Sequence, residues 1–165
     1  LGGVLYLNPE KYTESDSTSI DASYNYFSNT VGSEANLGLK TSGEKWRYLV
    51  RGNYAVHSDY ETGDGIRVTN SRFEEKDLKA GIGFQDTKYK GDFRYNYNNT
   101  NIGIPGEIGE QTTSKDIISP YQKLDNHIVS FSNKIFLPKS SIDLKVGYLF
   151  NNRKEFEEES KDHAL

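Results

Sequence analysis

Apolar and polar residues alternate along most of this chain with a period of two, which marks strands with one apolar and one wet face. Residues 19–27 place Ile20, Ala22, Tyr24 and Tyr26 on one side and Asp21, Ser23 and Asn25 on the other. A second stretch sets Ala35, Leu37 and Leu39 against Glu34, Asn36 and Lys40. The clearest covers 45–57, with Trp46, Tyr48, Val50, Tyr54 and Val56 opposite Arg47, Arg51, Asn53 and His57. A fourth carries Leu78, Ala80, Ile82 and Phe84 against Asp77, Lys79 and Gln85. The fifth sets Tyr89, Phe93, Tyr95 and Tyr97 against Lys90, Asp92, Arg94 and Asn96. The sixth sets Val129, Phe131, Ile135 and Leu137 against Ser130, Ser132 and Lys134, with Asn133 breaking the apolar side. The seventh sets Ile142, Leu144, Val146, Tyr148 and Phe150 against Asp143, Lys145 and Asn151, and an eighth is expected to begin at His163-Ala164-Leu165. Pro9, Pro105, Pro120 and Pro138 all fall outside these stretches, as their missing amide donor requires.

The connections alternate in length. Ser42-Gly43-Glu44, Asp86-Thr87-Lys88 and Pro138-Lys139-Ser140 are short, whereas Tyr60 to Phe73 and Asn99 to Asp125 are long. The turn at Ser28 to Ser33 is short where a long one would continue the series. Short turns at one rim and long loops at the other are the habit of membrane β-barrels, whose strands need roughly 9–11 residues to cross. The expected fold is therefore all-β: an antiparallel meander of about seven long strands forming part of a transmembrane barrel. Seven is odd and leaves two open edges that lipid does not tolerate, so further strands are expected to follow.

Composition sharpens this picture. Only 34% of residues are hydrophobic, yet aromatics reach 13%, with Tyr 12 and Phe 8. Disordered segments are polar but poor in aromatics, whereas barrel strands combine a wet face with aromatic girdles. The net charge of −4 argues against a nucleic-acid partner. There is no Cys, hence no thiolate chemistry, and no apolar run reaches the length of a membrane helix. The start at Leu1-Gly2-Gly3 without Met reads as a processed, trimmed or partial chain.

Three short stretches carry a family resemblance. Leu1-Gly2-Gly3-Val4-Leu5-Tyr6-Leu7-Asn8-Pro9-Glu10 resembles the end of the plug domain of TonB-dependent outer-membrane receptors. Asn99 to Gly106 is similar to a strand exit into a substrate-facing loop, and Gly147 to Phe156 resembles a recurring Asn-x-Arg-x-Glu-Phe strand end of Bacteroidetes-type members. The resemblance implies that residues 1–12 end a plug, that 13–165 open a plugged 22-stranded barrel, and that the protein lies in the outer membrane of a Gram-negative bacterium. It further implies import of a scarce ligand, most simply a ferric siderophore or similar iron complex, energised through TonB by way of a plug missing from this chain. Outer-membrane lipid is the other implied partner.

Candidate sites follow from the wet face. Arg47, Arg51, Lys79, Lys90, Arg94, Lys134 and Lys145 are expected to line the lumen, where cations either attract an anionic chelate or pair with Asp77, Asp92, Asp143 or plug carboxylates. Arg47, Arg51 and Arg94 are the candidate ligand contacts among them. Tyr121, Pro120 and Ile104, in or beside the longest loop, are placed to touch ligand, and His127 is added as a polar strand residue. His57, His127 and His163 lack metal-ligand spacing, and no nucleophile–base set or phosphate-cradling loop occurs, so neither a metal site, a cofactor nor catalysis is expected. A soluble β-sandwich or lipocalin-like binding domain, and a small non-transporting barrel, are the competing readings. The assignment of faces predicts that Arg at Val50 or Ile82 blocks membrane assembly, while Arg at Asn53 or Gly83 is tolerated.

Overall fold

The computed structural model describes residues 9–157. These form one open antiparallel sheet of seven strands in chain order, with no helix among the described residues. The strands are β1 (Ser17–Phe27), β2 (Gly32–Ser42), β3 (Trp46–His57), β4 (Phe73–Gln85), β5 (Tyr89–Gly103), β6 (Tyr121–Phe136) and β7 (Ser141–Phe156). They lengthen from 11 to 16 residues across the sheet. Residues 9–16 lie across the strands, and the expected eighth strand and the Gly-Gly-Val segment fall outside the described residues.

Register explains why alternation persists from strand to strand. Ile20, Leu39, Val50, Ala80, Tyr95, Val129 and Tyr148 stand side by side in one row. A slip of one residue in any strand would move that strand's apolar set to the wet side. This row and its neighbours form a face that nothing among the described residues covers: Ile20 is 70% exposed, Trp46 49% and Tyr148 63%. The buried hydrophobic residues among those described are Leu49 and Ala55, both on the other face. A soluble monomer rarely leaves a contiguous apolar patch beyond a few hundred Å².

The apolar band crosses the register rows at an angle. In β1 it covers Ile20 to Tyr26, centred on Ser23, and in β7 it covers Ile142 to Phe150, centred on Val146. The row through Ser23 meets β7 at Asn151, so the centre drops by five residues (151 less 146) over six strand steps. At ~3.3 Å per residue and ~4.8 Å between strands, the band slopes by about 30°. Barrel strands tilt from the barrel axis by roughly 35–45°. Beyond the band the same face turns polar, at Lys76 and Glu74 in β4, Asn99 and Asn101 in β5, Asp125 and Lys123 in β6, and Asn152 and Lys154 in β7.

Three strand limits differ from the sequence expectation. β5 and β6 run on through Asn98 to Gly103 and Tyr121 to Asn126, so the long connection is 104–120 rather than 99–125, and β7 continues to Phe156. Alternation of apolarity fades there because both faces are polar, yet the ladder of backbone hydrogen bonds continues. The connection between β3 and β4 is 58–72, and both long loops lie at the same end of the sheet as the 28–31 turn.

Candidate functional site

The polar face is crossed by the chain's own residues 9–16, a strap held by two arginines from the sheet. Arg51 of β3 donates Nε and Nη2 to the Glu10 carboxylate at 3.0 and 2.8 Å, and Nη2 also reaches Asp21 of β1 at 2.7 Å. A further Arg51 hydrogen bond goes to the Asn36 side-chain oxygen, and Lys40 stands 3.3 Å from Glu10. Hydrogen bonds from Arg51, and then from Lys40, hold the Glu10 carboxyl below the usual glutamate range despite partial burial. Arg94 of β5 is gripped by Asp92 (2.7 and 3.1 Å), donates Nη1 to the Glu10 carbonyl at 3.0 Å, and lies 4.1 Å from the centre of the Tyr12 ring. Such a bidentate, stacked geometry suits guanidinium and not a lysine.

Tyr12 fits because β4 has no side chains beneath it. A Cβ on Gly81 would sit 2.9 Å from the Tyr12 hydroxyl, and one on Gly83 3.0 Å from its ring. Burial pushes the Tyr12 phenol up to about 12. The strap ends where the Thr13 hydroxyl donates to the Ser42 hydroxyl at 2.9 Å and Ser42 donates back to the Thr13 carbonyl at 3.0 Å. Gly83 is therefore occupied space, and the expectation that it tolerates Arg is corrected: a long side chain there displaces Tyr12.

The five candidate contacts divide between the two faces. Arg47, Arg51 and Arg94 stand on the polar face, as alternation required. Arg51 and Arg94 are committed to the strap and to Asp21 and Asp92, and Arg47 donates to Gln85 at 2.9 Å. Lys134 pairs with Asp143 at 3.2 Å. Tyr121 and His127 lie on the opposite face: Tyr121 stacks on Phe156 at 4.4 Å, and His127 packs among Tyr95, Tyr97 and Phe150, its Nδ1 2.8 Å from the Tyr95 hydroxyl. The odd positions of β6 share the apolar side, so neither residue is brought near the arginines. Pro120 and Ile104 do meet in the long-loop cluster. His57 closes β3 and stacks on Phe73 at 4.6 Å, and His163 lies outside the described residues.

Above the strap, a row of small polar side chains crosses all seven strands: Ser23, Asn36, Asn53, Asp77, Asn98, Asn126 and Asn151. Asn53 and Asn98 each donate to the Asp77 carboxylate, at 3.1 and 2.8 Å; Asn126 donates to Asn98 at 3.0 Å, and Asn151 to Asn126. Single asparagines in single strands looked unremarkable in sequence; register alone aligns them.

The long loops form a folded cap. Asp59 and Arg72 are buried (0% and 3% exposed) and joined by Arg72 Nε and backbone N–H, both to Oδ1, at 3.0 and 3.1 Å and by a second guanidinium contact. Arg72 also donates to the Asp116 carbonyl at 2.9 Å, tying 58–72 to 104–120. Asn70, with φ of 61°, donates to the carbonyls of Ile104, Ile118 and Pro120; asparagine is among the few side chains at ease in that backbone region. No family model, no curated protein and no solved structure matches the chain.

Proposed function

We propose that this chain is a wall section of a plugged outer-membrane barrel that imports a scarce ligand, with β1 and β7 paired to further strands of a closed, 22-stranded wall. The observation that carries the reading is the sloping apolar band on one face, set against a polar face clasped by the chain's own strap. A band of seven residues in β1 and nine in β7 at the observed slope suits the apolar thickness of an outer membrane. The polar back, with long loops gathered at one rim, suits a lumen and its external mouth. A soluble sandwich would bury the aromatic face against a second sheet, and nothing covers it in the described residues.

The import step and its coupling through TonB rest on the resemblance of residues 1–10, which lead into the strap at Pro9 and Glu10, to the end of a plug. The wall accords with it: a segment entering just before the first strand runs inside and is held by wall arginines. An iron chelate is the ligand class this reading favours, and Lys79, Lys90 and Lys145 remain on the polar face without a carboxylate partner among the described residues. The test is cell fractionation of the full-length protein together with uptake of radiolabelled ferric citrate in its host. Outer-membrane location with uptake that a protonophore abolishes is expected. A soluble protein overturns the barrel, and a membrane protein whose deletion leaves every iron-chelate uptake unchanged overturns the cargo.

A further inference from the structure

Beside the strap, the polar face contains a cavity of about 420 Å³, within the range of small-molecule sites. Its floor is Leu49 and Ile128, its polar wall is Lys79, Asn96 and Ser130, and the strap side is Pro9 and Glu10, whose carboxylate is already paired with Arg51 and Lys40. Lys79 stands directly across from Arg51 and next to Asn96 in the register. Like charges placed opposite one another are unfavourable. Arg51 is neutralised by Glu10 and Asp21, but Lys79 has no carboxylate partner among the described residues. Asn96 and Ser130 likewise make no side-chain hydrogen bond among those residues, whereas the neighbouring asparagines 53, 98, 126 and 151 are bonded to one another. The two guanidinium groups that hold the strap, Arg51 and Arg94, are matched by carboxylates, whereas Lys79, Asn96 and Ser130 bring unmatched donors to this one cavity.

We propose that Lys79, Asn96 and Ser130 form an anion-binding subsite that takes a carboxylate-type oxyanion of the ligand, its carbon frame resting on Leu49 and Ile128. Lys79 supplies the charge, while the Asn96 amide and the Ser130 hydroxyl supply neutral donors to the same oxygens. Arg94, which borders the cavity, is held by Asp92 and Tyr12 and acts as a fixed wall. The subsite rests on the reading of the polar face as a lumen and names the group of the ligand that the wall recognises.

The test is calorimetric titration of citrate, a tricarboxylate, into the full-length protein in detergent, at low and high salt. The native protein is expected to bind citrate with an affinity that falls as salt rises. Lys79→Gln should weaken it by about tenfold or more, the worth of a charge-assisted hydrogen bond, and Asn96→Ala by less. Lys139→Gln, in the exposed turn between β6 and β7 and away from the cavity, should bind as the native protein does. Each variant is first checked for native heat-modifiable gel mobility. Native-like citrate binding by Lys79→Gln overturns the subsite. So does a native protein that binds no citrate; if Lys79→Gln then also loses thermal stability, a carboxylate of the protein itself occupies the cavity. Fractionation reads the barrel separately, so a soluble protein would sink the transport reading while these titrations still judge the cavity.

Discussion

At the scale of single residues, Glu10 is the point on which the strap turns. Its carboxylate faces two cationic groups of the sheet, Arg51 and Lys40, in a partly exposed setting, where screening limits the gain to roughly 1 kcal/mol. Glu10→Gln is expected to loosen the strap without unfolding the sheet, read as faster tryptic cleavage after Lys11 in the full-length protein. The sign of its pH dependence follows from the lowered carboxyl. The contribution is complete above the ordinary glutamate range and is lost as pH falls through the depressed value. A nitroxide on Ser15 should therefore gain mobility only as pH falls below the ordinary glutamate range, and Glu10→Gln should remove that transition. Gly81 is the complementary point: Gly81→Val places a side chain where the Tyr12 hydroxyl lies. It should release the strap at a cost of about 1–3 kcal/mol, again visible as cleavage after Lys11.

At the scale of elements, each strand must satisfy two solvents, and the two faces respond oppositely to the same substitution. Val50→Arg or Ile82→Arg puts a charge in the middle of the band and should cost about 2–4 kcal/mol in a bilayer, read as loss of the heat-modifiable form. Ser132→Arg, on the polar side of β6 and away from the strap, should assemble normally. Similar behaviour of all three would mean that the faces are assigned wrongly. The loop cap obeys a different rule, because its charges are buried. Asp59→Ala leaves Arg72 without its carboxylate and should cost about 3–5 kcal/mol. The loss should be local: loops 58–72 and 104–120 part, and trypsin cuts after Lys115 on intact cells, while the strands remain protected.

At the scale of the whole molecule, the slope of the band converts a register into an orientation. Polarised infrared spectroscopy of the full-length protein in oriented bilayers should give strands tilted by roughly 30–45°; strands lying in the membrane plane would refute the wall. Alternation alone determined the seven strands, their order as a meander and which side of each is apolar, because side chains in a strand change face at every residue. It also placed Arg47, Arg51 and Arg94 together on the wet face. It misjudged where β5, β6 and β7 end, because asparagine-rich stretches lose the apolar contrast that marks a strand while still pairing through their backbone. It joined Tyr121 to the arginines for its place at the longest loop and His127 as a polar strand residue, although their odd positions in β6 set them on the other side. Only tertiary structure decided that two glycines in β4 make a seat for Tyr12, that Glu10 meets Arg51, that Asp59 meets Arg72, and that asparagines from separate strands form one row. Those contacts join residues distant in the chain, and their partners are chosen by register and loop folding, which no local pattern of residues encodes.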